Sequence, residues 1–149
     1  MKTVPDFEDI LNLFSDYGVR YLIVGGLAFI YHAKPRYTKD IDLWIDADLE
    51  NVARVNKVLA EFGSPDLLDP DRSDEILQLG ADPHRIDLLR DVVDLDFNEV
   101  WDQRVKGRYG KAPANWIDID SLIAIKSRID HPRHQEDARV LRMVRDRKR

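Results

Sequence analysis

The segment DIDLWID, residues 40–46, constrains the fold of this chain more than any other stretch, because acidic and apolar residues alternate along it. Successive side chains of a β-strand point to opposite faces. The alternation therefore predicts a strand that divides its side chains into a core face with Ile41, Leu43 and Ile45 and an acidic face with Asp40, Asp42, Trp44 and Asp46. On this acidic face, Asp46 is predicted to mark the end of the strand rather than to bind metal.

The negative charge on this strand points to a bound cation. Two carboxylates about 4 Å apart repel each other by about 4 kcal/mol at an effective dielectric constant near 20. Water relieves this repulsion at a surface, whereas in a cleft one carboxylate takes a proton or a cation lies between the two. Because Mg²⁺ is bound by a few carboxylates together with substrate phosphates, Asp40 and Asp42 are predicted to form half of a metal site. The alternative is an edge strand with its polar face in water.

A glycine pair, Gly25–Gly26, separates a predicted strand over residues 20–24 from a predicted short helix over 27–33. The free N–H groups of a helix N-terminus suit a phosphate, and glycine lets the phosphate come close. A tight turn between strand and helix would explain the pair equally well. The residues that follow exclude both a Walker loop and the dinucleotide fingerprint. With the acidic strand next along the chain, the pair predicts a phosphate site beside a metal site.

A third carboxylate is expected near the first two, to complete the metal site or to activate a hydroxyl. Asp87 in RIDLL, residues 85–89, is the preferred candidate, because aspartate is disfavoured within a strand unless it faces a site. Asp94 and Asp96, in VVDLDF, are the alternatives.

The other elements predict an α/β or α+β protein with a small mixed sheet. Residues 1–149 are predicted to form a single domain, with a sheet-containing core over 1–117 and C-terminal helices over 118–149. A turn and a short strand are predicted within 108–119, and 97–105 is predicted to be helical or irregular. Further helices are predicted over 5–17, 48–62, 74–79, 121–129 (capped by Asp120) and 133–146.

Composition narrows the possible classes of protein. The chain has no cysteine, which excludes disulfide scaffolds and thiol nucleophiles and fits a reducing cytoplasm. No signal peptide or membrane span is expected, since the apolar stretches are too short. The net charge of −5 argues against a protein that coats nucleic acid. The basic residues of 126–149 could form a solvated helix face or a patch for RNA or an acidic partner.

Residues 25–43, GGLAFIYHAKPRYTKDIDL, resemble the hG[GS]…DhDhh signature of the DNA polymerase β-type nucleotidyltransferase superfamily. The closer resemblance is to small bacterial nucleotidyltransferases related to the AbiEii toxin group, with the pattern G-G-x-A-x-x-x-H-x-x-x-R-x-T-x-D-I-D-L. RIDLL, FNEVW (97–101) and residues 118–141 are similar to later blocks of that group. Gly26 stands where many superfamily members have a serine that contacts phosphate, so only its backbone could serve here.

This resemblance implies a nucleotidyltransferase fold with helices mainly on one face of a mixed sheet, using Mg²⁺, with two metals possible, and an NTP such as ATP. It implies three metal-binding carboxylates, with Asp87 also orienting or deprotonating the acceptor hydroxyl. It also implies that Lys126 reaches the phosphates, although the residue types alone favour an exposed or snorkelling lysine. The implied site residues are Asp40, Asp42, Asp87 and Lys126 for catalysis and Gly25, Gly26, Arg36, Thr38 and Asp137 for the nucleotide.

The expected activity is therefore Mg²⁺-dependent transfer of a nucleotidyl group from an NTP to a hydroxyl of tRNA, a protein or a small molecule. The resemblance also suggests the toxin-like part of a toxin–antitoxin pair, with a cognate antitoxin or a homodimer as partner. Two alternatives remain open: a non-catalytic module that binds a nucleotide or partner on the same fold, and a metal-dependent phosphodiesterase or nuclease.

Three further residues are predicted to have structural rather than functional roles. Trp44 is predicted to lie in the core or at its rim, although it could stack on a nucleobase. His131 and His134, in HPRH, are predicted to be surface residues rather than metal ligands, because a third ligand is not near them in sequence.

Overall fold

The computed structural model of the protein describes residues 2–81 and 83–148, which form a six-stranded mixed sheet and six helices. The strands are β1 Tyr21–Val24, β2 Ile41–Ile45, β3 Leu77–Leu79, β4 Ile86–Leu89, β5 Val105–Tyr109 and β6 Ala112–Trp116. Their order across the sheet is β3-β4-β2-β1-β6-β5. β1 is antiparallel to β2 and parallel to β6, while β2 is parallel to β4. The predicted mixed α/β fold is confirmed, whereas the division at residue 117 stays a prediction.

The structure describes six helices, and local residues explain where α3 ends and where α5 begins. They are α1 Pro5–Asp16, α2 Gly25–His32, α3 Leu49–Phe62, α4 Phe97–Asp102, α5 Ile119–Arg128 and α6 Pro132–Arg147. α3 ends at Gly63, whose φ of 92° is the left-handed conformation that glycine adopts without strain. The predicted cap of α5 is wrong: Asp118, not Asp120, caps it, because the helix begins earlier and the Asp118 carboxylate accepts a hydrogen bond from Ser121 N–H.

The hydrophobic core surrounds the central strands. One face of α1 is buried, with Phe7, Ile10, Leu11 and Phe14, and α1 packs against α3 and β6. All four residues of β1 are buried, so both faces of this strand are covered. α2 contacts β1, β2, α5 and α6, so it connects the sheet with the C-terminal helices. None of the helices in the described ranges is long and apolar enough to cross a bilayer.

The predicted helix over 74–79 is wrong, because residues Leu77–Leu79 form β3 instead. Leu77 and Leu79 are buried and Gln78 is exposed, which is the period of a strand. Antiparallel pairing with β4 buries the two leucines, and this tertiary contact outweighs local helix preference. The single strand predicted within 108–119 is one half of a hairpin, β5–β6, which turns at Gly110.

The strand register brings the acidic residues together. In the parallel pair of β2 and β4, Asp42 lies opposite Asp87. In the antiparallel pair of β1 and β2, Val24 lies opposite Asp42, so that Gly25 follows immediately beside this aspartate. Two strand neighbours and the start of α2 therefore meet at one end of the sheet.

Candidate active site

Three of the predicted carboxylates cluster at this end of the sheet, and Arg85 connects two of them. Arg85 Nε donates to Asp87 Oδ1 at 2.8 Å, and Arg85 Nη2 donates to Asp87 Oδ2 at 3.1 Å. The same Nη2 lies 3.2 Å from Asp40 Oδ2. The structure thus places Asp40, Asp42 and Asp87 together.

The Asp42 carboxyl lies in an environment that disfavours its charge. Burial, the negative charges of Asp87 and Asp40, and a hydrogen bond with Asp87 raise its pKa from 3.8 to about 6. Arg85 opposes this shift but does not cancel it. The cluster therefore has more negative charge than its own cation offsets, which is the condition for attracting a further cation.

The donor atoms of the cluster are chemically suited to a hard cation, but Arg85 pairs with two of the three carboxylates. Asp40 Oδ1 is buried and has no hydrogen-bond partner in the described part of the chain, which leaves one carboxylate oxygen available. Carboxylates are the ligands that Mg²⁺ prefers in proteins. Within residues 2–81 and 83–148, however, no group of three acidic, histidine or cysteine side chains is arranged to hold a metal ion. The guanidinium of Arg85 already bridges two of the three carboxylates.

Glycine is required at positions 25 and 26 because the side chains of Asp42 and Thr38 come close to the backbone there. Gly25 has a φ of +70°, and a Cβ built there would lie 2.2 Å from Asp42 Oδ2. A Cβ on Gly26 would lie 3.0 Å from Thr38 Oγ1. Both glycines begin α2, where the first N–H groups of a helix lack partners within it. The sequence therefore uses glycine to hold a helix N-terminus directly against the acidic strand.

Arg36, Lys126 and Asp137 form a second charged group, the basic network, next to α2. Arg36 donates two hydrogen bonds to the Asp137 carboxylate, at 2.7 and 2.9 Å. Lys126 Nζ donates to Asp137 Oδ2 at 2.9 Å and is 3% exposed, so the interpretation of Lys126 as an exposed lysine is wrong. The ring of Phe29 in α2 lies beneath both cations, 4.1 Å from Arg36 Cζ and 5.9 Å from Lys126 Nζ.

The basic network holds more positive than negative charge. Burial alone would raise the pKa of Asp137, but hydrogen bonds from Arg36 and Lys126 outweigh burial and lower this pKa. His134 Nδ1 lies 3.5 Å from Lys126 Nζ, and burial together with Lys126 lowers the pKa of His134. One ionised carboxylate therefore faces two cations and a histidine that favours its neutral form.

The other aspartates that the sequence offers for the acidic site have structural contacts. Asp46 directly follows β2 and pairs with Arg20 at 2.9 Å. Asp96 caps α4 by accepting from Glu99 N–H, and the Asp94 carbonyl accepts from Arg128. The structure therefore places Asp87, and neither Asp94 nor Asp96, opposite Asp42.

The aromatic and histidine candidates also have structural contacts. Trp44 is 1% exposed and meets Phe97 edge to face at 5.2 Å, so a core position is confirmed and stacking on a nucleobase is excluded. His131 precedes α6 and its Nδ1 accepts from Arg133 N–H.

In the basic C-terminal helix, Arg145 pairs with Asp120 and Asp146, while Arg149 lies outside the described residues.

Arg85 is the site residue for which the sequence pattern predicts no role. It shares a strand face with Asp87, two positions later, and this i, i+2 relation of opposite charges is the signal that points to it. Which second carboxylate it would contact depends on the pairing of β4 with β2, which a single sequence does not specify.

Comparison with solved structures defines the fold class as that of the nucleotidyltransferases. The lincosamide antibiotic adenylyltransferase LnuA, in its lincomycin-bound form, matches with a TM-score of 0.63 at 17% identity, covering 96% of this chain and 99% of LnuA. ANT(2″)-Ia in complex with adenylyl-2″-tobramycin matches with a TM-score of 0.58 at 14% identity, covering 96% of this chain and 97% of that chain. An antigenic nucleotidyltransferase-like protein from Paracoccidioides brasiliensis has a TM-score of 0.53 at 13% identity, with coverage of 95% and 76%.

The chain belongs to the aminoglycoside-2″-adenylyltransferase family, whose model matches residues 6–118. This family places the chain among the nucleotidyltransferases, as the sequence predicts. The finer grouping with the AbiEii toxins is not confirmed. No curated protein sequence matches the chain significantly.

Proposed function

We propose that this protein transfers an adenylyl group from ATP to a hydroxyl group of a small molecule. The observation that carries the proposal is the contact between Asp42, in the carboxylate cluster, and Gly25, at the start of α2. A cation held by the carboxylates and a phosphate held at the start of α2 would thereby lie side by side. The family assignment supports adenylyl as the transferred group.

In this mechanism the acceptor oxygen attacks the α-phosphorus of ATP, the bond to the bridging β-phosphate oxygen breaks, and pyrophosphate leaves. Asp40, Asp42 and Asp87 would hold Mg²⁺, whose charge offsets the negative charge on the phosphates during in-line displacement. Asp87, or water next to it, would take the proton of the acceptor hydroxyl. The backbone of Gly25 and Gly26 would lie along the triphosphate.

The basic network would contribute to the same step by attracting phosphate. Lys126 and Arg36 have one carboxylate, Asp137, to share between them, so one positive charge is left over. Asp137 would position the two cations rather than touch the nucleotide. Thr38, against Gly26, would fix the loop that carries Arg36.

The structural relatives favour a small-molecule acceptor over tRNA or protein. LnuA was solved with lincomycin and ANT(2″)-Ia with adenylylated tobramycin, and this chain covers nearly their whole length. A toxin role, an antitoxin partner, a homodimer and a cytoplasmic location remain predictions from sequence. The non-catalytic alternative has one observation in its favour, the ion pairs of Arg85 across two of the three carboxylates.

The test is to incubate the protein with α-labelled ATP and Mg²⁺, together with lincomycin, tobramycin, tRNA or a cell extract, and to follow label transfer and pyrophosphate release. Transfer to a small molecule, with stoichiometric pyrophosphate, is the expected result, and Asp42→Asn should lower its rate by about 10³-fold. Label on tRNA or protein instead would contradict the small-molecule acceptor. Tight ATP binding without Mg²⁺ dependence or turnover would favour the binding module. Phosphodiester cleavage without pyrophosphate would favour a nuclease.

A further inference from the structure

A cavity of about 840 Å³ lies between the N-terminal segment, α2 and the loop that carries Arg36 and Thr38. This volume is within the range of small-molecule sites. Its apolar wall consists mainly of Phe7, Leu27, Ile30, Tyr31, Tyr37 and Tyr109.

The wall of this cavity is held in place by defined contacts. The Tyr31 ring stacks on Trp116, with centroids 4.1 Å apart and planes inclined by 10°. The Tyr109 hydroxyl accepts a hydrogen bond from Val4 N–H at 2.7 Å, which fixes the N-terminal segment at the cavity. Tyr37, by contrast, is 72% exposed and can be changed without disturbing the core. The cavity is therefore largely formed before any ligand enters.

The cavity adjoins the proposed reaction site through two of its lining residues. Thr38 lines the cavity and also lies against Gly26, at the start of α2. His84 lines it too and directly precedes Arg85, which binds Asp40 and Asp87. A molecule in the cavity would thus border both the phosphate side and the carboxylate side of the site.

The charge of the lining argues against a ligand with several positive charges. Among the described residues that line the cavity, none is aspartate or glutamate, while Lys2 and Arg36 are cationic. A polyamine sugar needs carboxylates to offset its ammonium groups once they leave water. Aromatic and aliphatic walls instead favour apolar surface, which gains from burial.

We propose that this cavity is the acceptor pocket and that it takes a hydroxyl compound with an apolar body and little or no net positive charge, rather than a polycationic aminoglycoside. This inference rests on the proposed adenylyl transfer and specifies the class of acceptor. It departs from the substrate that the family name suggests. The reason is the chemistry of the pocket walls in this chain.

The test uses 1-anilinonaphthalene-8-sulfonate, an anionic aromatic probe that fluoresces in apolar sites, with the full chain. Wild-type protein should bind the probe at one site, and Tyr37→Ala should weaken binding at least about fivefold, as expected for loss of an aromatic wall. Val93→Ala is the matched control, because Val93 is 73% exposed and lies outside the cavity. Unchanged binding in Tyr37→Ala, with its melting temperature preserved, would overturn the proposal.

Competition then defines the class of ligand. Lincomycin, with a single tertiary amine and an apolar side chain, should displace the probe at lower concentration than tobramycin, which carries several amino groups. Lincomycin that competes no better than tobramycin would overturn the assignment. ATP with Mg²⁺ should leave the probe bound, and displacement by ATP would identify the cavity as the nucleobase site instead. These readouts do not depend on turnover, so a failure of the proposed transferase activity would be detected separately, by the absence of label transfer.

Discussion

The carboxylate cluster and the basic network both lie against α2, yet the cluster has an excess of negative charge and the network an excess of positive charge. In the cluster, three carboxylates have the Arg85 guanidinium between them, and the pKa of Asp42 is raised to about 6. In the network, one carboxylate has two cations, and the pKa of Asp137 is lowered. The cluster therefore has too few cations for its charge, while the network has one more than its carboxylate needs.

In the proposed function, this contrast would let one short helix serve a ligand that has both signs of charge. Gly25, at the first position of α2, touches the acidic cluster, and Phe29, one turn later, lies beneath the cations of the network. A magnesium–ATP complex offers a cation and a polyanion in neighbouring positions. The arrangement of charge along α2 would complement both parts of this complex. A protein without such a ligand would be more stable if the carboxylate cluster and the basic network were each neutralised by their own side chains.

The largest expected effect is loss of activity on removing the charge of Asp42. Asp42→Asn should lower the rate of label transfer by about 10³-fold, because one oxygen donor of the site becomes a neutral amide. The measurement is initial velocity of adenylyl transfer with saturating ATP and Mg²⁺. Asp46→Asn, which changes a carboxylate at the end of the same strand, is the matched control and should keep most of the activity. Equal losses in both variants would remove the distinction between the cluster and the rest of the strand.

The next effect concerns the stability of the basic network. Asp137→Asn should lower the free energy of unfolding by about 3 kcal/mol, since buried Lys126 and partly exposed Arg36 would lose the carboxylate that neutralises them. Urea denaturation measures the change. Glu136→Gln is the control, because the ion pair of Glu136 with Arg139 on the same helix is exposed and contributes little to stability in water. A loss in Asp137→Asn no larger than in the control would show that the network is not a structural unit.

The third effect has the opposite sign and depends on pH. Because the pKa of Asp42 is raised in the folded protein, its ionisation opposes folding, and this penalty grows as pH rises from about 4 to about 6 and is complete above that range. In metal-free buffer, Asp42→Asn should therefore be more stable than wild type by about 1 to 2 kcal/mol at pH 7.5, and the gain should shrink toward pH 4. Urea denaturation at the two pH values provides the measurement.

Added Mg²⁺ provides a control for this third effect. It should stabilise wild type at pH 7.5 and have little effect on the Asn variant. A variant less stable than wild type at pH 7.5 would show that the Asp42 carboxylate contributes to the fold, as Asp137 does, and would contradict the contrast between the two groups.

The two groups also differ in how far the sequence predicts them. The carboxylate cluster follows from local rules: strand alternation selects Asp40 and Asp42, and the preference against aspartate within strands selects Asp87. The Gly25–Gly26 pair is equally visible, although its reason, a Cβ that would collide with Asp42, requires the register of β1 and β2.

The basic network could not be predicted in this way. Arg36 and Asp137 are 101 residues apart, and no local pattern indicates that they pair with each other rather than with a ligand. β3 is missed for a related reason, since three residues carry too little periodicity and their burial depends on β4. Local chemistry thus predicts the residues of a site, while long-range pairing decides which of them neutralise one another.

The smallest expected effect tests Arg85, the cation that pairs with carboxylates of the cluster. Arg85 occupies a position between Asp40 and Asp87 that a metal ion would share, so the two cations should compete for the same carboxylates. Arg85→Gln should therefore bind Mg²⁺ about three- to tenfold more tightly than wild type in the absence of nucleotide, measured by calorimetry; this corresponds to about 1 kcal/mol, the magnitude of a partly exposed ion pair. Arg72→Gln, which alters an exposed ion pair in the loop before β3, is the control. Weaker Mg²⁺ binding in Arg85→Gln would mean that Arg85 holds the carboxylates in position for the metal, and the cluster would then resemble the basic network in being assembled by its own counter-charge.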